Sequence, residues 1–472
     1  MKNDTVPGAS SGGLSRRTMI VGAAAVLGGG WLMTGLSGCA PVGALAAAPG
    51  ATQLSFWHLL TGGDGIKMAG LVAASNAANP SFFAKQTILT WGTPYYTKLA
   101  MASAGGRAPD VAIMHASRLP GYAPGGLLDE WDIGRLAQHG VTEANFPPAI
   151  WNSGFSDGRL YSIALDAHPF ILMYNTAIAR DAGVLGADGQ LEQIDTPQQF
   201  LEVARKMQAV TGRRGLSYGY LGDGAQMWRL FYTFYRQLGA SMTLEPGMPA
   251  QVDEDAATTA LEFIQELLDG TIATAAGDYA TAVAEFVNGE SGMFFTGVWE
   301  LPTMQAAGLS FDAIAIPTLF GTPATYADSH AFVLPRQANL DSVAREDVYA
   351  FVAGILKDSF AWAEAGHIPA YLPVVNSPAY AELLPQAHYA GAVENLNYDP
   401  QAWFTGSGSD FHLGLGLAGA RRQVVPDARD ANLGAVLVLG VDVPLRARVL
   451  ANLNGPEARD DATAWPAPRS GP

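Results

Sequence analysis

The sequence predicts an α/β fold of two lobes joined by three chain crossings around a central cleft, and three observations predict it. The chain has 472 residues, more than a single hydrophobic core usually serves, so two or three domains are expected. Short β-rich or apolar runs alternate with amphipathic helical stretches over most of its length. Three stretches then place titratable side chains between apolar strands. They are Asp166 and His168 ahead of Pro169, Asp328 and His330 ahead of Ala331, and Gly366-His367-Ile368-Pro369. Such polar breaks fit a chain passing from one lobe to the other, and crevices between lobes are where small ligands bind.

Composition narrows the class. Charged residues make up 15% of the chain, too few for long disordered regions. The net charge of −16 repels nucleic acid and anionic lipid, so neither is an expected partner. Ser15-Arg16-Arg17-Thr18 carries the paired arginines of a twin-arginine leader, followed by an apolar, glycine-rich run to Gly38. The run ends in Leu36-Ser37-Gly38-Cys39, which resembles the bacterial lipoprotein processing box. Cys39 is the sole cysteine, which suits a lipidated mature N-terminus and rules out an intrachain disulfide framework. A transmembrane helix is the competing reading of this run, weakened by Gly22 and Gly28-Gly29-Gly30.

In chain order, Leu54–Trp57 reads as a strand running into Thr61-Gly62-Gly63-Asp64 and a helix to Ala78. The glycines let backbone approach a ligand, but no Gly-Lys-Ser/Thr follows, so this is no Walker loop. Thr87–Trp91 and Asp110–Met114 are further strands, the latter with His115 and Ser117 at its carboxyl end, where α/β sheets hold ligands. In Asp157–Asn175, Leu160–Leu165 and Phe170–Tyr174 are strand-like, and Pro169 argues against one continuous central strand. Thr196, Pro197 and Gln199 open a helix as N-cap, N1 and capping-box residue, and Gly212 stops it. Trp228 lies in an aromatic stretch whose rings are mostly core. Ala257–Asp269 is a second amphipathic helix, and Phe286–Glu300 a helix end, turn and buried strand with Trp299 just beyond. A long helix is expected from Arg345 to Ala365, and the polar tail from Gly455 reads as disordered.

These stretches together resemble the extracellular solute-binding proteins of bacterial ABC importers, in the sugar-binding, maltose-binding-protein-like group. The resemblance runs from about Leu54 to Leu453, carried by FWHLLTGGDG, GGRAPDVAIMHASRLPGYAPGGLLDEWD, DGRLYSIALDAHPFILMYN, FVNGESGMFFTGVWE, ADSHAFVLP and AEAGHIPAYLPVVNSPAY in that order. It implies a periplasmic-binding-protein-like fold. Its parts would be a signal peptide (1–38), a tether (39–51), an N-terminal lobe (52–165 with 328–366), a C-terminal lobe (166–327 with 367–455) and a tail (456–472). It implies capture of a carbohydrate for a membrane permease by a monomer anchored through Cys39 on the outer face of the cell membrane. No cofactor, metal or catalytic residue is expected.

The expected ligand contacts are His58, Gly63, Asp64, His115, Asp166, His168, Trp228, Trp299, Asp328, His330 and His367, with a further contact from Trp403–Asp410. A sugar has apolar C–H faces that a tryptophan covers and hydroxyls that carboxylates and imidazoles fix. Each pick has a plainer reading: Asp64 as a helix cap, Asp166 and Asp328 as hinge-locking hydrogen bonders, His367 at a helix C-terminus. His58, His115 and His330 depart from the family pattern. A secreted glycosidase is the competing function and needs two facing carboxylates, for which Asp166, Glu300 and Asp328 are the candidates. The eight histidines show no His-x-x-x-His clustering, which argues against a metal protein. Gly414, Gly416 and Gly419 spell a dinucleotide fingerprint with neither the strand nor the acidic residue that would support it.

Overall fold

The computed structural model describes residues 47–221, 223–245 and 248–412. The leader, Cys39, the glycines at 414–419 and the tail lie outside the described residues. Strands are numbered in chain order: β1 Thr52–His58, β2 Phe82–Ile88, β3 Val111–His115, β4 Leu128–Asp129, β5 Phe155–Ser156, β6 Arg159–Leu160, β7 Ser162–Ala164, β8 Asp166–Asn175, β9 Arg214–Ser217, β10 Ser291–Gly297, β11 Phe311–Ala315, β12 Thr325–Asp328, β13 His330–Pro335, β14 Ile368–Pro369 and β15 Leu396–Asn397. Among the described residues they form a six-stranded sheet in the order β2-β1-β3-β13-β4 with β7 on β13. A seven-stranded sheet runs β15-β12-β8-β10-β9, with β11 and β14 on β8.

Each sheet is covered on both faces, which is why its strands read as unbroken apolar runs. In β8, Phe170, Leu172 and Tyr174 enter one core cluster and Ile171 and Met173 another, the alternation of a strand with two buried faces. In the first sheet, Phe56, Val111 and Ile113 face one cluster while Ala112 and Met114 face a second.

The three polar breaks are where the chain changes sheets. β7 pairs with β13 in the first sheet and β8 begins the second after Leu165 alone. β12 lies on β8, and after Ser329 the chain enters β13 on β3. β14 pairs with Asp166 and Ala167 of β8. Beyond it Ala370, Tyr371 and Val374 still pack in the first sheet's core, whereas Tyr389 packs in the second's.

Four expectations need correction. The strand expected at Thr87–Trp91 lies at Phe82–Ile88, because it pairs residue for residue with β1, which ends at His58. β8 runs unbroken through Pro169. The proline is tolerated because β14 pairs only as far as Ala167 and β10 only from Phe170, leaving Ala327 of β12 as its pairing partner. The long helix is two: Ser342–Lys357, capped by Asp341, and Phe360–Ala363 after an interruption at Asp358-Ser359. The helix expected from Ala257 begins earlier, at Glu254, because the Asp253 carboxylate accepts the Ala256 N–H as its N-cap. The helix Pro197–Thr211 keeps its expected cap and stop, but Gln199 bonds one residue ahead of the N-cap and so closes no capping box. Thr196 Oγ1 accepts the Gln199 N–H, Gln199 Oε1 reaches back to the Asp195 N–H, and Gly212 closes the helix at φ 66°.

Candidate functional site at the crossings

The first crossing supplies a hub. Asp166, at the head of β8, has no exposed surface, and its carboxylate gathers donors from all three crossings. Oδ1 accepts the His330 backbone N–H at 2.8 Å and faces His168 Nδ1 at 3.1 Å. Oδ2 faces His330 Nδ1 at 2.8 Å, accepts the Trp362 indole N–H at 2.7 Å and lies 3.0 Å from His367 Nδ1. Burial alone would push this carboxyl up; the surrounding His330, His367 and His168 outweigh it and hold it well below the usual carboxylate range.

The same hub sorts the histidines. His367 sits between two carboxylates, with Nε2 3.1 Å from Asp64 Oδ1 and Nδ1 against Asp166. Burial disfavours its charge, yet Asp64 and Asp166 raise its pKa to about 10, so it is an imidazolium. His168 hydrogen-bonds one carboxylate, Asp166, and has His330 nearby. Burial and His330 push its pKa down to about 3, so it is neutral. His115, at the carboxyl end of β3, is held well below its ordinary value by burial and then by His330 and His168. Its Nδ1 is 2.5 Å from Tyr96 Oη, which also accepts the His115 backbone N–H. The His115, His168 and His330 rings have centroids 4.3–5.4 Å apart.

The second crossing supplies a different carboxylate. Asp328, also without exposed surface, accepts the Ser117 and Ser329 backbone N–H groups on Oδ1, at 3.1 and 2.8 Å. The hydroxyls of Ser117 and Ser407 donate to its Oδ2, the latter at 2.7 Å. Burial and then Asp399 raise its pKa, against those hydrogen bonds. Ser407 brings Trp403–Asp410 to the site: its N–H donates to Ser117 Oγ, and Arg118 Nη1 donates to the Thr405 carbonyl.

Trp299 borders this cluster from just beyond β10. It is half-buried, its ring 6.1 Å from His168, and its indole N–H donates to Tyr279 Oη, which donates to Glu300. The Arg229 guanidinium lies 4.7 Å over the Trp299 ring. Gly63 approaches from the first lobe: a Cβ there would stand 2.7 Å from Pro302 Cβ.

The structure thus brings together Asp64, His115, Asp166, His168, Asp328, His330 and His367, with Trp299 and Gly63 at the border. His58 and Trp228 stand apart. His58 Nε2 donates to Gln86 Oε1 and its Nδ1 accepts the Leu60 N–H. Trp228 is fully buried, stacked on Tyr232, with its indole N–H on Asp399 at 2.5 Å. Sequence reasoning missed Arg229, one of two arginines in an aromatic helix, and Trp362, which its helical spacing marks only as core.

Two covered sheets, three crossings and a polar, ring-bordered cluster at those crossings define a two-lobed binding protein. A family model described as bacterial extracellular solute-binding protein matches residues 93–383, and the chain belongs to that family; it is therefore an exported protein acting outside the cytoplasm. Solved structures share the fold at low identity. The GacH receptor of Streptomyces glaucescens, solved unliganded and with acarbose, is 19% identical with a TM-score of 0.68, covering 83% of this chain and 97% of that one. The galacto-N-biose-/lacto-N-biose I-binding protein of the Bifidobacterium longum ABC transporter, in complex with lacto-N-biose, is 18% identical with a TM-score of 0.64, covering 86% and 98%. The sugar-binding protein MalE of Xanthomonas citri is 17% identical with a TM-score of 0.66, covering 84% and 98%.

Proposed function

We propose that this protein captures a sugar or oligosaccharide at the crossings and delivers it, chemically unchanged, to the permease of an ABC importer. The observation that carries this reading is the half-buried Trp299 ring set beside neutral imidazoles and buried carboxylates. An aromatic face suits the C–H face of a pyranose, and fixed donors and acceptors suit its hydroxyls. Carbohydrates named with the similar structures, acarbose and lacto-N-biose, point the same way. The contacts we propose are Trp299, His115, His168, His330 and Asp328, with Asp64, Gly63, Asp166 and His367 behind them. Closure of the lobes over the ligand, driven by its higher affinity for the closed arrangement, is the signal to the permease.

The lobes in this proposal are 52–165 with 328–366 and 166–327 with 367–455, with Ala370–Val374 assigned to the first by their packing. The leader directs export by the twin-arginine route, and Cys39 carries the lipid that holds a monomer at the membrane.

A thermal-shift screen of mono- and oligosaccharides tests the function. A ligand of the native state raises the melting temperature by linkage. Trp299→Ala should weaken the best hit about tenfold or more, the scale of a lost ring contact. No shift with any saccharide, or an undiminished one in Trp299→Ala, contradicts the reading.

A further inference from the structure

The Asp328 carboxylate is fully buried, yet all four of its hydrogen bonds come from neutral donors, and among the described residues no lysine, arginine or histidine pairs with it. A buried anion without a counter-charge is costly. One donor atom each from His115, His168 and Asp328 lies within 4.8 Å of the other two. The Nδ1 atoms of these histidines are engaged, by Tyr96 Oη and Asp166 Oδ1, so an ion would take Nε2 of each. We propose that His115, His168 and Asp328 bind one divalent transition-metal ion, with zinc as the reference cation.

The donor set is two imidazoles and one carboxylate, which suits such an ion and leaves coordination positions open. Donors about 2.0–2.2 Å from a shared tetrahedral zinc stand roughly 3.3–3.6 Å apart, so the three side chains draw together as the ion binds. The supporting contacts are those metal-ligating histidines and carboxylates require. Asp166 orients His168, Tyr96 orients His115, and two backbone N–H groups on Oδ1 orient Asp328, whose Oδ2 would take the ion in place of a serine hydroxyl that rotates away. His367 is excluded as a ligand because both its nitrogens face carboxylates. The three ligands come from the end of β3, the first crossing and the second crossing. A cation here ties the lobes together, and its open positions are available to a water or a ligand hydroxyl.

The test uses tag-free protein stripped with EDTA. Equilibrium dialysis against micromolar zinc, with metal content measured by mass spectrometry, should give one zinc per chain. His115→Gln and His168→Gln should each weaken binding at least about tenfold, whereas His139→Gln, at a half-buried position paired with Glu346, should not. Cobalt added to the unmutated protein should give visible d–d bands, a readout that stands if the variants misfold. Failure of the unmutated protein to retain zinc, absence of the bands, or binding indifferent to both substitutions overturns the proposal. Saccharide binding by stripped protein that then fails to take up zinc would overturn the metal site alone and leave the transport function intact.

Discussion

Asp166 and Asp328 stand at successive crossings, both fully buried and both holding the two sheets together, yet their environments drive them in opposite directions. Asp166 is ringed by three imidazoles, and its carboxyl is pulled far down; Asp328 is ringed by hydroxyls and amides, and burial lifts it. The difference shows that equal burial does not fix a charge state: the partners do. It also separates two roles. Asp166 is the brace that orders His168, His330 and His367. Asp328 is a buried carboxyl held by neutral donors alone.

The largest expected effect comes from removing the brace's charge. Asp166→Asn should cost about 3–5 kcal/mol in stability, read as the midpoint of a denaturant titration. Either amide orientation sets an NH2 against a donor that cannot reverse, the His330 backbone N–H or the Trp362 indole N–H. It also leaves the His367 imidazolium with one carboxylate in place of two. A cost no larger than that of Asp328→Asn would erase the contrast.

Next in size is His367→Gln, which should cost about 1.5–3 kcal/mol near pH 7, the range for a hydrogen bond to a charged group. Its pH dependence has a definite sign. The folded-state pKa of about 10 lies above the unfolded value of about 6.5, so the imidazolium's contribution is complete below pH 6.5 and is lost as pH rises through 10. The melting-temperature gap between the unmutated protein and the variant should therefore narrow between pH 6.5 and 10. A gap that stays constant would mean His367 is not charged in the fold.

Asp328→Asn is the smallest, at about 1 kcal/mol or less. The Ser117 and Ser407 hydroxyls that donate to Oδ2 can rotate to accept from an amide, and the two backbone N–H groups keep a carbonyl oxygen. The same substitution should abolish zinc retention, so stability and metal binding separate in one variant.

The two-lobed fold and the three crossings were legible in the sequence because a carboxylate or imidazole between apolar strands is conspicuous. His115, Asp166, His168, Asp328, His330 and His367 were all nameable for that reason. Their mutual arrangement was not. Residues far apart in the chain meet only through β3, β8, β12, β13 and β14, so the histidine spacing along the chain gave no hint of a cluster. Pro169 misled because strand propensity does not reveal which residue of a strand lacks a neighbour on one side. Trp362 and Tyr96 read as core, and they are; their polar atoms nevertheless set the state of Asp166 and His115. His58 and Trp228 show the reverse error available to sequence reasoning, where a polar or aromatic residue near a strand or helix end completes its contacts inside one lobe.

The most direct measurement is a calorimetric titration of the full chain with the saccharide that gives the largest thermal shift, followed by chromatography of the ligand recovered after long incubation. Capture between the lobes predicts saturable binding of one saccharide per chain, recovered intact. Absence of saturable binding for every saccharide, or recovery of cleaved product, would contradict it.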